Sequence, residues 1–400
     1  MRISTQAFFE RNAAGMGRLQ QKLFQVQQKI GAGSKFITPS QDPVAAARAL
    51  GVSQSLAETS QYAASRSRAG QSLAMEETAL QSATRVLQEV KALIVQAGNG
   101  TLTDADRATL GTALESQFAE LLGVANSTDG NGQYLFAGFK GDAPPFVAQG
   151  ATVAYNGDQG QRLVQVDVSR QMAVTDDGES VFRAVQGSAV RVPAAGAGNQ
   201  GSGVFGGVNV TDGGNYELTF DTTATATAKA TYTLRNADDG TVLASGDFTA
   251  GEPITAAGLS VRIDGAPVAG DVFTVGNAQQ AGTDVFQAMR DLITALRVPA
   301  TDAASLADVR NALGTANAKI TNAHDNVLTV RSAVGSRLAE LDSLDASGEW
   351  RNIVDQTYLS ELQDLDYASA LTEFAQRESN LRATQQTFAR LQSIALFNYL

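Results

Sequence analysis

The chain has 400 residues, 43% of them hydrophobic, which is enough apolar material for two or three folded domains and excludes a disordered polymer. Its net charge of -11 makes nucleic acid and anionic membrane surfaces unexpected partners, because like charges repel. Cysteine is absent, which excludes disulfides, thiolate metal sites and cysteine catalysis.

The N-terminal region, to about residue 140, is predicted to be helical. Apolar residues recur every three or four positions in the first helix, the spacing of a coiled-coil seam, and they are Phe9, Met16, Leu19, Leu23, Val26 and Ile30. Gly31 and Gly33 predict the end of this helix. Asp42 before Pro43 predicts the cap and first turn of a second helix over 44–97. A third helix is predicted over 103–126, and its apolar face carries Leu110, Leu114, Phe118, Leu121 and Ala125.

The middle region, residues 141–282, changes in composition toward Gly, Thr, Val and Asp. Short alternating runs such as 216–220 and 232–235 are separated by Asp-Gly and Gly-Gly pairs, which favour turns. This pattern predicts an antiparallel β domain. The Ala- and Gly-rich stretch 194–203 is expected to be a flexible loop.

The C-terminal region, residues 283–400, returns to helical spacing. Apolar residues keep the three-four rhythm from Leu306 to Leu341, except at Arg337. We expect a break near Ser347-Gly348 and then one last helix over 353–400, ~70 Å long at 1.5 Å per residue. The seam predicted for this helix consists of Phe374, Leu381, Phe388 and Leu391.

These regions predict an α+β protein, a long antiparallel α-helical coiled-coil rod built from both termini with an inserted antiparallel β domain. The predicted domains are the terminal coiled-coil helices (1–40 with 353–400), a helical rod (41–140 with 283–352) and the β insertion (141–282). The two seams together form a predicted assembly interface, because both ends of the chain are rich in apolar side chains that neighbouring subunits would cover. The alternative is that the two ends pair within one chain and leave nothing exposed.

This sequence contains only weak matches to the residue groupings of enzyme active sites. His324 is the one histidine, and a lone helical histidine is usually structural. Residues 196–201 match GxGxxG but lack the strand and helix that a dinucleotide site needs. Paired carboxylates such as Glu76 and Glu77 are interpreted as solvated helix faces. We therefore predict no catalytic residue, no cofactor and no metal.

Several segments resemble the flagellin superfamily and, within it, the family of hook-filament junction proteins. The resemblance lies in both helical arms, at residues 1–6, 33–47, 87–101, 132–138 with 144–146, 331–338 and 396–400. It covers about 1–146 and 283–400 and leaves the middle region uninformative.

The resemblance implies a structural subunit, not an enzyme, that self-associates in a helical ring through its terminal helices. It implies the first hook-associated protein as partner on the hook side and flagellin on the filament side. A cytoplasmic export chaperone would hold the C-terminal helix, and the subunit would reach the extracellular hook-filament junction by type III export. Residues 1–10 lack the pattern of a cleaved secretory signal, which agrees with that route.

Three alternatives stay open at this point. The first is a flagellin-type filament subunit, against which the Ser4-Thr5-Gln6 start and the Asn398-Tyr399-Leu400 end argue. The second is an enzyme carried in the β insertion, although the sequence offers no recognisable group of catalytic residues there. The third is a tip or translocator protein of type III secretion, which the motifs above disfavour.

Overall fold

The structure is a computed structural model that describes the backbone of residues 5–150, 152–183 and 191–397, and the side chains of residues 7, 10–150, 152–183 and 191–390. The chain forms two compact units. Unit 1 comprises residues 1–64 and 343–400, and unit 2 comprises residues 65–342. In the described residues helices and antiparallel strands occur together, which confirms the predicted α+β class.

The α-helices of the described residues lie on both sides of the strand-rich region in the sequence. In chain order they are α1 (Thr5–Ala32), α2 (Pro43–Ala97), α3 (Asp104–Ala125), α4 (Ala278–Ala281), α5 (Val285–Arg297), α6 (Ala303–Gln363) and α7 (Tyr367–Phe397). A short π-helix spans Glu179–Arg183. Helices α2 and α6 each contribute residues to both units.

Two predicted helix boundaries are confirmed together with their local chemistry. Helix α1 ends at Ala32, and Gly33 follows with φ of 65°, a left-handed conformation that favours glycine. Helix α2 begins at Pro43, where the Asp42 carboxylate accepts a hydrogen bond from the Ala45 N–H at 2.9 Å. The Asp42 side chain therefore caps the first turn, as its position before a proline predicts.

The prediction for the last helix is wrong. Ser347 and Gly348 lie inside α6, which continues to Gln363, and the break falls at residues 364–366 before α7 begins. At this break Asp366 accepts a hydrogen bond from the Ala368 N–H at 3.0 Å. Capping by an aspartate therefore starts a new helix here, whereas a single glycine in a long, packed helix costs only about 1 kcal/mol relative to alanine and need not end it.

The helical core of unit 2 contains an aromatic cluster. Helix α3 packs against α5, and the Phe118 and Phe286 rings meet edge to face with centroids 6.0 Å apart. Phe146 and Phe182 also contact Phe286, with centroids 5.1 and 6.0 Å from it. Aromatic pairs of this kind each add about 0.5–1.5 kcal/mol to the free energy of burial.

The β region of unit 2 carries short antiparallel strands. They are β1 (Phe146–Gln149), β2 (Thr152–Tyr155), β3 (Leu163–Asp167), β4 (Arg170–Ala173), β5 (Val192–Ala195), β6 (Val204–Val210), β7 (Tyr216–Thr222), β8 (Thr231–Asn236), β9 (Val242–Asp247), β10 (Pro253–Ala256), β11 (Leu259–Asp264) and β12 (Val272–Gly276). The hairpins β1–β2 and β3–β4 stand apart from a three-stranded sheet, β10-β11-β6, and a five-stranded sheet, β5-β12-β7-β8-β9.

The two larger sheets share one hydrophobic core. It includes Leu218 and Phe220 from the five-stranded sheet and Val261 and Ile263 from the three-stranded sheet, all buried. Alternate residues of β7 and β11 point into this core, which is the period-two pattern of a strand with one covered face. The antiparallel β region predicted for 141–282 is therefore present.

Candidate assembly surface

The residues predicted to form an assembly interface lie on α1 and α7, which pack along each other in unit 1. On α1, Val26 is 6% exposed, and the other predicted residues with described side chains are half-buried: Met16, Leu19, Leu23 and Ile30. Their neighbours Phe24 and Gln25 are exposed. The less exposed positions of α1 thus follow the three-four spacing of the sequence pattern.

Helix α7 carries the matching row. Phe374, Leu381 and Phe388 are half-buried, and Ala370 is buried one turn before them. Phe9 and Leu391, which belong to the predicted interface, lie outside the residues whose side chains the structure describes. The two rows pack together but remain incompletely covered by the chain itself.

Backbone hydrogen bonds join the end of α1 to the break between α6 and α7. The Lys35 N–H donates to the Gln363 carbonyl at 2.8 Å, and the Leu365 N–H donates to the Gly33 carbonyl at 2.9 Å. The Lys35 ammonium group also donates to the Glu361 carbonyl. These bonds fix the register of α1 against α7, so they position the two rows of the candidate surface.

Unit 1 buries few apolar side chains. Among its described residues only Val26, Ala49 and Ala370 are buried hydrophobics. Its exposed large hydrophobics, by contrast, are Phe24, Ile37, Val44, Leu50, Trp350, Ile353, Val354, Tyr358, Tyr367 and Leu371. Exposed apolar side chains that lie together on one face mark interaction sites in soluble proteins.

The sequence predicted the α1 and α7 rows but missed the exposed residues of α6. Trp350, Ile353, Val354 and Tyr358 follow the spacing i, i+3, i+4 and i+8, which places them on one helix face. That spacing could have revealed them. They were overlooked because a helix break was predicted beside them, near Ser347-Gly348.

The candidate catalytic and cofactor-binding features of the sequence make contacts that are typical of structural residues. His324 is mostly buried, and its Nδ1 lies 3.4 Å from the Asp325 carboxylate. The GxGxxG segment 196–201 is a loop between β5 and β6, in which the Asp271 carboxylate accepts hydrogen bonds from the N–H groups of Gln200 at 2.8 Å and Gly201 at 3.1 Å. In the part of the chain that the structure describes, no group of three or more His, Cys, Asp or Glu side chains could hold a metal ion.

The interpretation of Glu76 as part of a solvated face is wrong. Its side chain is fully buried in unit 2, where one carboxylate oxygen accepts a hydrogen bond from the Asp176 N–H at 3.0 Å and the other has no hydrogen-bond partner among the described residues. Arg337 donates two hydrogen bonds to the Asp176 carboxylate, at 2.9 and 3.0 Å. Burial, and after it the negative charge of Asp176, raise the pKa of Glu76 to about 8.

This polar cluster also explains the irregularity of the α6 row. Arg337 interrupts the apolar spacing because its guanidinium pairs with Asp176. Glu77, next to Glu76, is half-buried and accepts a hydrogen bond from the Arg331 Nε at 3.0 Å. The cluster thus connects α2, α6 and the segment after β4 within unit 2.

None of the helices in the described segments combines the length and the apolar character needed to cross a bilayer.

Comparison with known proteins identifies the family. A model of the bacterial flagellin N-terminal helical region matches residues 3–140. The flagellar hook-associated protein 3 of Salmonella typhimurium (strain LT2) is 30% identical over 397 residues, which make up 99% of each chain. The chain belongs to the flagellar hook-associated protein 3 family. Its match to that protein extends over the whole length, including the β region, and does not favour the flagellin alternative.

Solved structures agree with this family. FlgL of Xanthomonas campestris (space group C2) is 29% identical and aligns with a TM-score of 0.67 over 77% of this chain and 99% of that chain. The flagellar hook associated protein-3 of Legionella pneumophila is 25% identical and aligns with a TM-score of 0.70 over 78% of this chain and 98% of that chain. Both similarities support a flagellar structural protein of the hook-associated protein 3 type.

Proposed function

We propose that this protein is the adaptor subunit between flagellar hook and filament, and that it polymerises into a ring through its terminal helices. The observation that supports this is the incomplete burial of unit 1. Its described residues leave ten large hydrophobic side chains exposed and bury three small ones. Burial of each large side chain contributes about 1.5–3 kcal/mol, so covering them by neighbouring subunits stabilises an assembly strongly.

The proposed interface is the seam of α1 and α7 predicted from the sequence. In the ring, neighbouring copies would cover the sides of Met16, Leu23, Phe374, Leu381 and Phe388 that remain open in the single chain. Phe9 extends the seven-residue spacing of α1, and Leu391 follows Phe388 after three residues, at the intermediate spacing of a coiled-coil seam, so both are included. The terminal helices (1–40 with 353–400) would form the inner layer of the ring, and the rod (41–140 with 283–352) and β insertion (141–282) would surround it.

The proposed partners follow from the position of such a ring. The first hook-associated protein would bind on the hook side and flagellin on the filament side. A cytoplasmic chaperone would hold the C-terminal helices, about 353–400, before export, because these residues expose Ile353, Val354 and Leu371. Export would proceed without a cleaved signal to the extracellular junction. Nucleic acid, membrane, cofactor and catalysis have no part in this proposal.

Immunogold electron microscopy of isolated flagella tests the proposal. We expect label confined to a collar between hook and filament, with no label along the filament. Label along the whole filament would instead identify a flagellin-type subunit. Absence of label from flagella that carry both hook and filament would overturn the structural role itself.

A further inference from the structure

The sequence contains three asparagines that are followed by glycine, a pair of residues with a chemistry of its own. They are Asn99-Gly100, Asn131-Gly132 and Asn156-Gly157. The backbone nitrogen of the glycine can attack the side-chain amide carbon of the asparagine, because glycine has no Cβ that shields this nitrogen. The attack needs a free glycine N–H group and an asparagine side chain that folds back over it, so the fold decides which of the three pairs can react.

Asn99 and Gly100 lie in an exposed turn of unit 2, between α2 and α3. Helix α2 ends at Ala97, and both residues that follow Gly98 are exposed. Among the residues that the structure describes, the Gly100 N–H has no hydrogen-bond partner. A Cβ placed on Gly100 would meet only one described group beyond the adjoining residues, the Arg310 guanidinium at 3.8 Å. The attacking nitrogen is therefore unpaired and accessible.

Thr101 holds the Asn99 side chain over the Gly100 peptide group. The Asn99 Oδ1 accepts hydrogen bonds from the Thr101 N–H at 3.2 Å and from the Thr101 hydroxyl at 3.0 Å. The first bond closes an Asx turn, which folds the side chain back onto the backbone. Because a backbone N–H can only donate, the atom that faces it is the amide oxygen. Both donors then stabilise the negative charge that develops on this oxygen when the amide carbon is attacked.

Arg310 adds a positive charge beside the same turn. It is exposed on α6, and within the described part of the chain its guanidinium forms no hydrogen bond or ion pair. A nearby positive charge favours loss of the proton from the Gly100 nitrogen and stabilises the oxyanion of the intermediate. The carboxylate that the reaction produces would also find a partner in this guanidinium.

Asn131-Gly132 lacks a free nucleophile. The Gly132 N–H donates a hydrogen bond to the Asp129 carbonyl at 3.0 Å. This bond must break before the nitrogen can attack, which should slow the reaction about tenfold. Exposure of Asn131 alone therefore does not make this pair reactive.

Asn156-Gly157 is covered by an aromatic ring. A Cβ placed on Gly157 would overlap the Tyr155 ring. The Tyr155 hydroxyl donates hydrogen bonds to the Phe136 carbonyl at 3.0 Å and to the Asp158 carbonyl at 2.9 Å, which fix the ring in this place. Attack on the Asn156 side chain would require the ring to move, so this pair is closed as well.

We propose that Asn99 is a site of spontaneous deamidation in the folded protein, with the Gly100 nitrogen as the nucleophile. A bond forms between this nitrogen and the Asn99 Cγ, the Cγ–Nδ2 bond breaks, and ammonia leaves with the proton that Gly100 has lost. Water then opens the cyclic imide at either carbonyl and gives aspartate or isoaspartate. Each event adds one negative charge and is irreversible, so the converted fraction increases with the age of the protein. The inference does not depend on the proposed function.

Peptide mapping by mass spectrometry tests the proposal on the full-length protein. Samples would be kept in neutral buffer, folded or unfolded in guanidinium chloride, and the exchange of amide for carboxyl would be followed at all three asparagines. In denaturant the three pairs should react at similar rates, because each is an Asn-Gly pair without a fold around it. In the folded chain Asn99 should keep this rate or exceed it, whereas Asn131 and Asn156 should react about tenfold more slowly or less.

The result that would overturn the proposal is a folded Asn99 that reacts no faster than Asn131 and Asn156. The products identify the nucleophile, because a cyclic imide gives isoaspartate together with aspartate, whereas direct hydrolysis by water gives aspartate alone. Isoaspartate at position 99 is therefore expected, and aspartate alone would overturn the role of Gly100. Gly100→Ala should strongly slow the reaction, since the added Cβ shields the nitrogen in a backbone conformation that is not left-handed.

Substitutions around the turn test the assigned activation. Thr101→Val removes the hydroxyl donor at nearly constant size and should slow deamidation of folded Asn99 without changing its rate in denaturant. Arg310→Gln should do the same, and Arg310→Lys, which keeps the charge, should restore the rate. Thr109→Val is the matched control, because the exposed Thr109 hydroxyl bonds only the Ala105 carbonyl of its own helix. Unchanged rates in Thr101→Val and Arg310→Gln would overturn activation by these two residues.

Discussion

The two units of the chain obtain their stability in different ways. Unit 2 contains nearly all of the buried apolar side chains that the structure describes, including the aromatic cluster around Phe286 and the core between the two larger sheets. Unit 1 consists of helices whose described residues bury Val26, Ala49 and Ala370. Unit 2 therefore has what a folded domain needs by itself, and the proposed assembly would supply unit 1 with the surfaces that it lacks.

The difference follows from how much apolar area each unit can cover. Ordering a residue costs about 1–2 kcal/mol of backbone entropy, and burial of apolar surface must offset that cost. The two larger sheets of unit 2 bury residues of both sheets in one shared core. In a pair of helices only one stripe per helix is covered, which agrees with the half-buried state of seam residues such as Leu381.

The largest effect is expected from a charge in the α7 seam. Leu381→Asp places a carboxylate where an assembled ring would bury it without a partner, so assembly should be lost. Phe388→Asp should behave in the same way. The collar would be examined by electron microscopy, and thermal unfolding of the purified variants should show that unit 2 is intact.

Ser379→Asp is the matched control, because Ser379 lies on the exposed side of the same helix. It adds the same charge outside the predicted seam and should leave the collar in place. Normal collars with Leu381→Asp would show that the seam is not part of the interface and would remove the main argument for the dependence of unit 1 on neighbours.

Removal of an aromatic ring should lower the free energy of unfolding more in unit 2 than in unit 1. Phe286→Ala removes a fully buried ring that contacts three other rings, and it should lower the free energy of unfolding by about 3–5 kcal/mol. Phe374→Ala removes a ring of the same size from the half-buried α7 row and should cost about 1 kcal/mol or less in the single chain. Urea unfolding of monomeric protein measures both values, and equal losses would contradict the contrast between the units.

Glu76 gives unit 2 a pH dependence. The pKa of its carboxyl group is raised from 4.5 to about 8 in the folded chain, first by burial and then by Asp176, while Arg337 and Arg162 oppose the shift. A raised acid pKa means that the folded state binds the proton more tightly than the unfolded state. The contribution of Glu76 is therefore fully present below about pH 4.5 and is lost as pH rises toward 8.

Glu76→Gln should remove this dependence. The slope that Glu76 contributes is at most about 1.4 kcal/mol per pH unit between the two pKa values, so the variant should gain stability relative to the unmodified chain as pH rises through this window. Urea unfolding at several pH values measures the difference. Glu89→Gln, at an exposed position of α2, is the control and should leave the curve unchanged. A constant difference between Glu76→Gln and the unmodified chain would contradict the buried titration.

Much of the fold was readable from the sequence where local chemistry and periodicity agree. The five residues predicted on one face of α3 are all buried, and they are Leu110, Leu114, Phe118, Leu121 and Ala125. Asp42 before Pro43 marks the start of α2 because the cap is a local interaction. Strands β7 and β8 contain the two alternating runs singled out in the sequence.

The failures have a common cause, which is that tertiary contacts decided the outcome. Ser347-Gly348 reads as a break, but packing keeps α6 continuous and the chain turns at residues 364–366, where segment 33–35 is bonded. The sequence predicts a surface position for Glu76, but the side chain is buried beside Asp176, which is 100 residues away in the chain. The exposed face of α6 with Trp350, Ile353, Val354 and Tyr358 was missed because the break wrongly predicted at Ser347-Gly348 lies beside it.

The smallest expected effect is the loss of a helix N-cap, which can be compared between the two units. The Thr103 hydroxyl accepts a hydrogen bond from the Asp106 N–H at 3.2 Å, and this capping box starts α3 in unit 2. Asp42 caps α2 in unit 1. Loss of a cap costs about 1 kcal/mol locally, but it lowers global stability only where the helix unfolds together with a core.

Thr103→Ala should therefore lower the free energy of unfolding of the monomer by about 1 kcal/mol, whereas Asp42→Ala should mainly speed amide hydrogen exchange in the first turn of α2. The Thr103 hydrogen bonds also lower the pKa of Asp106, so that pKa should return toward its usual value in Thr103→Ala, which an NMR titration detects. If both variants lower global stability equally, the start of α2 unfolds together with the core of unit 2. Unit 1 would then be supported from within the chain, and the need for neighbouring copies would be correspondingly smaller.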